Sequence, residues 1–200
     1  SSAASDVYKR QEMIRTPVDD AIGYIKKTVI GDVMNIKKVR VDKEGTGMGW
    51  GAVYAQYLES MDQIGEQGNG LSVSRQLYKG DEALNESAPL KVGDKITVRL
   101  TVKADRDMDF VQIKDDRAAC MEPLQAVSGF RWSNGLGYYQ ATKDASTQFF
   151  IDQMRKGTYV IEYQVYVNRT GEYQTGIATV QSAYAPEFGG HTRGYRVMVE

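Results

Sequence analysis

Between Lys95 and Lys103 the chain alternates strictly, with Ile96, Val98, Leu100 and Val102 on one side and Lys95, Thr97, Arg99, Thr101 and Lys103 on the other. A period of two is the signature of a strand with one face buried and one face wet. The pattern recurs from Thr158 to Val167, where Tyr159, Ile161, Tyr163, Val165 and Val167 oppose Glu162 and Gln164. A third run spans Gly176 to Tyr184, with Ile177, Thr179, Gln181 and Ala183 against Ala178, Val180, Ser182 and Tyr184. Tyr195 to Val199 reads as a short final strand. Thr147 to Met154 fits a strand or a short helix, and is read as a strand.

Turn residues punctuate these runs. Val92-Gly93-Asp94, Ser133-Asn134-Gly135, Arg155-Lys156-Gly157 and Asn168-Arg169-Thr170-Gly171 fall between them. Short strands at this spacing predict an all-β fold, an antiparallel β-sandwich. Upstream the pattern loosens. Ile36 to Val41 alternates weakly and reads as a strand. Trp50 to Ile64 fits a helix through Val53, Tyr57 and Met61, or a strand from Ala52 to Leu58; glycines at 45, 47, 49 and 51 disfavour a long helix, so a strand and turn are expected. Gly65 to Gly70 (GEQGNG) reads as a linker and places a domain boundary. Residues 12–66 are then the C-terminal tail of a preceding, partial β domain, and residues 67–200 are the C-terminal β-sandwich domain.

The first eleven residues, SSAASDVYKRQ, show no periodicity and no turn logic. They are expected to be the translation of a transposase adapter used in sequencing-library preparation, which places the native start at Glu12. Such a segment is set aside in reasoning about the fold.

Hydrophobic residues make up 42% and charged residues 26%, the balance of a globular chain. Net charge is −1 and the basic residues are scattered, so no field draws the chain to nucleic acid. No apolar run is long enough to span a bilayer. Cys120 is the one cysteine and His191 the one histidine, so a structural zinc site cannot be assembled and no internal disulfide can form. No metal and no cofactor is expected.

Asp105, Arg106, Asp107, Asp109, Asp115, Asp116 and Arg117 cluster around one strand, but match no calcium-loop pattern; they read as ion pairs in loops that fix strand ends. No G-x-S-x-G elbow accompanies the serines, and His191, in GGHTRG, reads as a turn histidine. The glycine-rich stretches open no helix, so they are not phosphate loops. Asn168-Arg169-Thr170 is a glycosylation sequon, a tripeptide common by chance. Cys120-Met121-Glu122-Pro123 places proline where a thioester motif needs glutamine, so Cys120 reads as a small buried apolar residue. The chain is therefore expected to be no enzyme. Its thirteen tyrosines, with Tyr138, Tyr139, Tyr159, Tyr163 and Tyr166 clustered, leave open an adhesin or glycan-binding sandwich, for which exposure of Tyr138 and Tyr139 is the discriminating observation.

QSAYAPEFGGHTRGYRVMVE at the C-terminus, DRDMDFVQIKDDRAACMEP at Asp105 to Pro123, GLGYYQATKDASTQFF at Gly135 to Phe150 and KGTYVIEYQVYVNRTGEYQTG at Lys156 to Gly176 resemble the last domain of bacterial alpha-2-macroglobulin-like proteins. GWGAVYAQYLESMDQI and GLSVSRQLY resemble the segment that joins the preceding macroglobulin-type domain to it, in the form found in Bacteroidota. The resemblance implies a macroglobulin- or immunoglobulin-like sandwich in an extracytoplasmic envelope protein, often a periplasmic lipoprotein, that traps or inhibits proteases. Its implied partners are upstream domains of the same polypeptide and target proteases. In thioester-bearing members a Met-Tyr pair covers the thioester of an upstream domain; Ala183 and Tyr184 are the matching positions. Tyr184 fits and Ala183 departs from the pattern. Read from the sequence alone, Tyr184 is an apolar lid or an ordinary sandwich aromatic near Pro186.

Overall fold

The computed structural model describes residues 26, 28, 30, 38–40, 42, 45–54, 56, 58, 60–85 and 88–200. The chain divides into two units, Ser1–Tyr57 and Leu58–Glu200. In the first unit the described positions carry no strand. The expected strand at 36–41 lies partly outside the described residues, and 38–40 are irregular. The strand expected over 52–58 is not formed at its described positions either. Among the described residues the alternation there finds no ladder partner, and a lone strand leaves its backbone groups unpaired.

In the second unit a short 3-10 turn at Met61–Gln63 leads into fourteen strands among the described residues. Strand β4 (Lys95–Ala104) is the centre of the first layer. It pairs antiparallel with β10 (Gly157–Val167) from Tyr166↔Lys95 to Gly157↔Ala104, and on its other side with β2 (Leu71–Lys79). β3 (Glu82–Ala83) hairpins onto β2, and β6 (Met121–Pro123) covers the outer edge of β10. An edge is where a strand proline such as Pro123 is tolerated, since it has no N–H to donate.

The second layer centres on β5 (Met108–Asp116), which lies between β9 (Ser146–Met154) and β12 (Ala178–Ser182). β8 (Leu136–Thr142) and β7 (Gly129–Ser133) extend it. Asn134 and Gly135 join β7 to β8, both with positive φ (50° and 78°), the geometry that matches a hairpin turn to strand twist. β1 (Gln67–Asn69) and β13 (Gly189–His191) pair with each other and connect the layers through β2 and β12. β11 (Gly171–Gln174) and β14 (Arg196–Val199) form a separate two-stranded sheet. The segment read as a linker thus becomes strand at Gln67.

The period-two runs decide which side chains fill the space between layers. Ile96, Val98, Leu100 and Val102 from β4 are buried with Ile161, Tyr163, Val165 and Val167 from β10. Val111, Ile113, Phe149, Ile151 and Val180 meet them from the other layer, within one hydrophobic cluster. Full burial of each such aliphatic side chain stabilises the fold by about 1.5–3 kcal/mol. The arrangement is an antiparallel β-sandwich, and Thr147 to Met154 is strand rather than helix. Cys120 is fully buried beside this core, as its sequence context implies, and burial pushes its thiol pKa up.

Candidate interaction surface

The charged cluster around β5 is only in part the set of loop ion pairs expected, for Asp115 and Arg117 are buried. Strand parity places Val111, Ile113 and Asp115 on the same inward face, and Asp115 is 1% exposed. Arg75 of β2 reaches it across the sandwich, donating from Nη1 to Asp115 Oδ1 at 2.6 Å. Tyr163 of β10 donates its hydroxyl to the other carboxylate oxygen at 2.7 Å. Arg75 also donates to Gly176 O at 2.6 Å and Thr175 Oγ1 at 3.0 Å, so its guanidinium ties β2, β5 and the 175–176 segment together, and Tyr163 adds β10 through Asp115. Gly176 is required here, because a Cβ would stand 2.3 Å from Asp116 Cβ.

Burial opposes the Arg75 charge, but the field and hydrogen bond of Asp115 outweigh it and raise its pKa further. Burial, and then the neighbouring Asp115 charge, hold the Tyr163 phenol well above its ordinary value. Arg117 is spent separately on Thr147 Oγ1 (2.6 Å) and the carbonyls of Lys143 and Asp144. The void beside this knot measures about 10 Å³, too small for any substrate. The knot is a brace between the sheets.

The other charged residues of the cluster close loops. Asp105 pairs with Arg106 at 2.8 Å, a hydrogen bond that lowers the Asp105 pKa, and Arg106 lies over the Phe188 ring at 4.6 Å. Asp107 accepts the backbone N–H of Lys156 at 2.7 Å. Lys114 and Asp116 pair at 3.0 Å. Asn168, the sequon asparagine, donates to Glu122, which Tyr166 also reaches through its hydroxyl. His191 lies in strand β13 between Gln67 and Thr179 rather than in a turn, half-buried, with Nδ1 3.2 Å from Thr192 O. Among the described residues no group of three or more His, Cys, Asp or Glu side chains converges as a metal site.

Tyr184 falls just past the end of β12, and the structure turns it outward: it is 78% exposed. It is therefore no core aromatic. Its ring meets Phe110 of β5 edge-to-face, with centroids 5.1 Å apart. The loop that carries it is held at both ends. Ala183 N–H donates to Phe110 O at 2.8 Å, Ser182 N–H to Phe188 O at 3.0 Å, and Phe188 N–H to Ala185 O at 2.9 Å. Asn69 of β1 adds a bond to Glu187 O at 2.7 Å.

A second exposed apolar group covers the outer face of the same layer. Strand register aligns Gln112, Phe150, Tyr139 and Phe130 in one row across β5, β9, β8 and β7. Phe130 and Tyr139 meet edge-to-face at 5.1 Å. Trp132, 77% exposed, lies over Gly137, where a Cβ would come within 2.8 Å of the ring. Tyr138 points the opposite way, buried against Phe149. Of the two tyrosines that were to test a sugar-binding platform, one is in the core and one is on this face. Phe110, Phe130 and Trp132 were not singled out in the sequence; Phe130 and Trp132 flank Asn134-Gly135 with the alternation of an edge hairpin, which was the available signal.

The fold and this surface define a class: an antiparallel β-sandwich whose core, among the described residues, holds only a void of about 10 Å³ at the Arg75 knot, and whose second layer and adjoining loop carry Phe110, Phe130, Trp132, Tyr139, Phe150 and Tyr184 exposed. Residues 70–187 match the family described as the Bacterial Alpha-2-macroglobulin MG10 domain, and the chain belongs to that family. Among solved structures it is similar to a tyrosine-to-glycine mutant of Salmonella alpha-2-macroglobulin (19% identity, TM-score 0.57). It is similar also to native Escherichia coli alpha-2-macroglobulin from domain MG7 to the C-terminus (17%, 0.57) and to the elastase-activated E. coli protein (16%, 0.59). Each match covers 68% of this chain and 10%, 24% and 14% of those chains, respectively. At these identities the likeness is one of fold. A curated relative, circularly permutated Ras protein 2 of Dictyostelium discoideum, is 28% identical over 166 residues, which is 80% of this chain and 4% of that protein. No helix among the described residues is long and apolar enough to cross a membrane.

Proposed function

We propose that this chain is a non-catalytic structural and interaction domain of a bacterial alpha-2-macroglobulin-like envelope protein that traps or inhibits proteases outside the cytoplasm. In this reading residues 67–200 are its C-terminal sandwich, residues 12–66 the tail of a preceding macroglobulin-type domain, and residues 1–11 adapter translation. Its immediate partner is another domain of the same polypeptide, and Tyr184 is a contact residue of that interface, able to shield a reactive group from water if the upstream domain carries one. The carrying observation is the outward pose of Tyr184, an aromatic braced for contact on a domain whose polar interior is consumed by structure. A large exposed ring costs apolar hydration that only a partner recovers.

The test uses the longer polypeptide that contains this chain, mixed with a serine endopeptidase and a protein substrate. The intact polypeptide is expected to suppress cleavage, and Tyr184→Ala to weaken that suppression while the isolated domain keeps its melting temperature. Suppression that is indifferent to Tyr184, or peptide or glycan turnover by the isolated chain that vanishes when one acidic residue is mutated, overturns the reading.

One observation favours a second reading, a glycan-binding module: Trp132 lies flat on the sheet beside Phe130 and Tyr139, a geometry suited to stacking against a pyranose ring. Quenching of tryptophan fluorescence by a polysaccharide, abolished by Trp132→Ala, supports it; the same binding curve in both proteins removes it.

A further inference from the structure

Phe110 is the one residue other than glycine and the hairpin residue Asn134 to hold a positive φ, among the described residues. At 53° it occupies the left-handed region, which bulky residues avoid because Cβ crowds the backbone. The position is not a turn. Asp109 and Val111 on either side keep their register with Gln153 and Ile151, and the ladder between β5 and β9 omits only the pair of Phe110 and Asp152. The kink reverses the inward parity of β5, so that Met108 is buried as well as Val111, but the Phe110 side chain itself gains nothing from that core, being 48% exposed on the outer face. Its outward ring instead meets the Tyr184 ring edge-to-face, and its carbonyl receives the Ala183 N–H directly before Tyr184. A left-handed φ at a bulky residue persists only where the surrounding structure over-determines it, and here it accompanies both the burial of Met108 and the contact with Tyr184.

The residue beside Tyr184 in sequence, Ala183, is too small to support a phenol ring. Support comes from another strand. Phe110 makes two contacts to the loop: a hydrogen bond accepted by its carbonyl, which the unusual φ helps to aim, and the edge-to-face contact between the rings.

We propose that Phe110 is a positioning residue, whose strained backbone and ring together hold Tyr184 in a fixed outward pose, so that one aromatic from β5 and one from the loop after β12 form one contact element for a neighbouring domain. The proposal rests on the reading of Tyr184 given above as an interdomain contact. It adds that the pose is set before contact and that Phe110 sets it.

The first arm of the test needs only this chain. With ring-labelled tyrosine, and Tyr184→Phe to assign the signal, the Tyr184 resonance is expected to be shifted upfield by the Phe110 ring. Phe110→Ala and Phe110→Gly both remove that shift, and each speeds amide exchange at Ala183 by up to about tenfold, the equivalent of one aromatic pair. Phe110→Tyr restores both. Because glycine accepts a left-handed φ, Phe110→Gly is expected to melt above Phe110→Ala, reversing the usual order of the two residues in a strand. A Tyr184 signal and Ala183 exchange rate unchanged in Phe110→Gly overturn the proposal, as does Phe110→Gly melting below Phe110→Ala.

The second arm uses the longer polypeptide and reads suppression of endopeptidase activity. If Phe110→Gly and Tyr184→Ala weaken it equally and Phe110→Tyr does not, Phe110 acts through Tyr184. If Tyr184→Ala weakens it and Phe110→Gly does not, positioning fails while the interdomain reading stands. If neither matters but the first arm succeeds, it is the interdomain reading that fails.

Discussion

Strand β5 carries two clusters with opposite fates. At its C-terminal end Asp115 points inward, 1% exposed, and is held by Arg75 and Tyr163 in the space between the layers. Toward its N-terminal end Phe110 points outward and meets Tyr184 in solvent. Polar groups are inside and aromatic rings outside, the reverse of the usual partition. The inner cluster is tolerable because nearly every donor and acceptor is used, and its chemistry is exhausted by that use. The outer cluster keeps its apolar surface unspent. With only a water-sized void beside the inner cluster, contact with a partner is to be sought in the second kind of cluster, and stability in the first.

The comparison breaks most visibly at Asp115. Asp115→Ala leaves the Arg75 guanidinium buried without its carboxylate, and the loss of one partner from such a pair costs about 3–5 kcal/mol. Chemical denaturation of the isolated domain is expected to show it. A loss below about 1 kcal/mol, the range of surface pairs, would mean that water reaches the knot and that it does not brace the sheets.

Tyr163→Phe is the gentler cut. It removes a hydroxyl from a buried carboxylate and is expected to cost about 1.5–3 kcal/mol. The pH dependence gives an independent check. The folded chain holds the Tyr163 proton well above its ordinary pKa, whereas the unfolded chain releases it near pH 10. Above that pH the folded state binds more protons than the unfolded one, so stability falls as pH rises; below it the contribution is complete. Unfolding free energies measured from about pH 8 to 11 should decline more steeply in the wild type than in Tyr163→Phe. Equal slopes would show that Tyr163 titrates alike in both states.

How far these clusters were legible in the sequence follows from the range of the interactions. Alternation is local, so Ile96 to Val102 and Ile161 to Val167 announce their strands and buried faces outright. The same parity continues from Val111 and Ile113 to Asp115 and already aims a carboxylate at the core, yet its partners lie on β2 and β10, and no local pattern names them. Asp115 therefore read as a loop residue until the register was known. Tyr184 was found through family resemblance, but its exposure depends on where β12 ends, at Ser182. Phe110 was invisible: a positive φ at phenylalanine contradicts every local preference, and only a long-range contact can impose it. The strand expected at 52–58 failed for the converse reason, since alternation without a paired neighbour does not make a sheet.

The outer row of β7 and β8 provides the smallest effect and the sharpest contrast with the inner knot. Trp132 is among the largest side chains of the domain, and a buried tryptophan replaced by a small residue would cost about 3–5 kcal/mol. Here the ring is 77% exposed and lies over Gly137, on an edge strand. Trp132→Ser is accordingly expected to change the unfolding free energy by no more than about 0.5 kcal/mol, the usual span of surface substitutions. What should change is association: the variant is expected to bind less of an apolar dye and to self-associate less at high concentration, because the exposed apolar face is broken in the middle. A stability loss near that of a core residue would instead make Trp132 a clamp on the β7–β8 hairpin, and the outer face would then belong with the brace rather than with the surface kept for a partner.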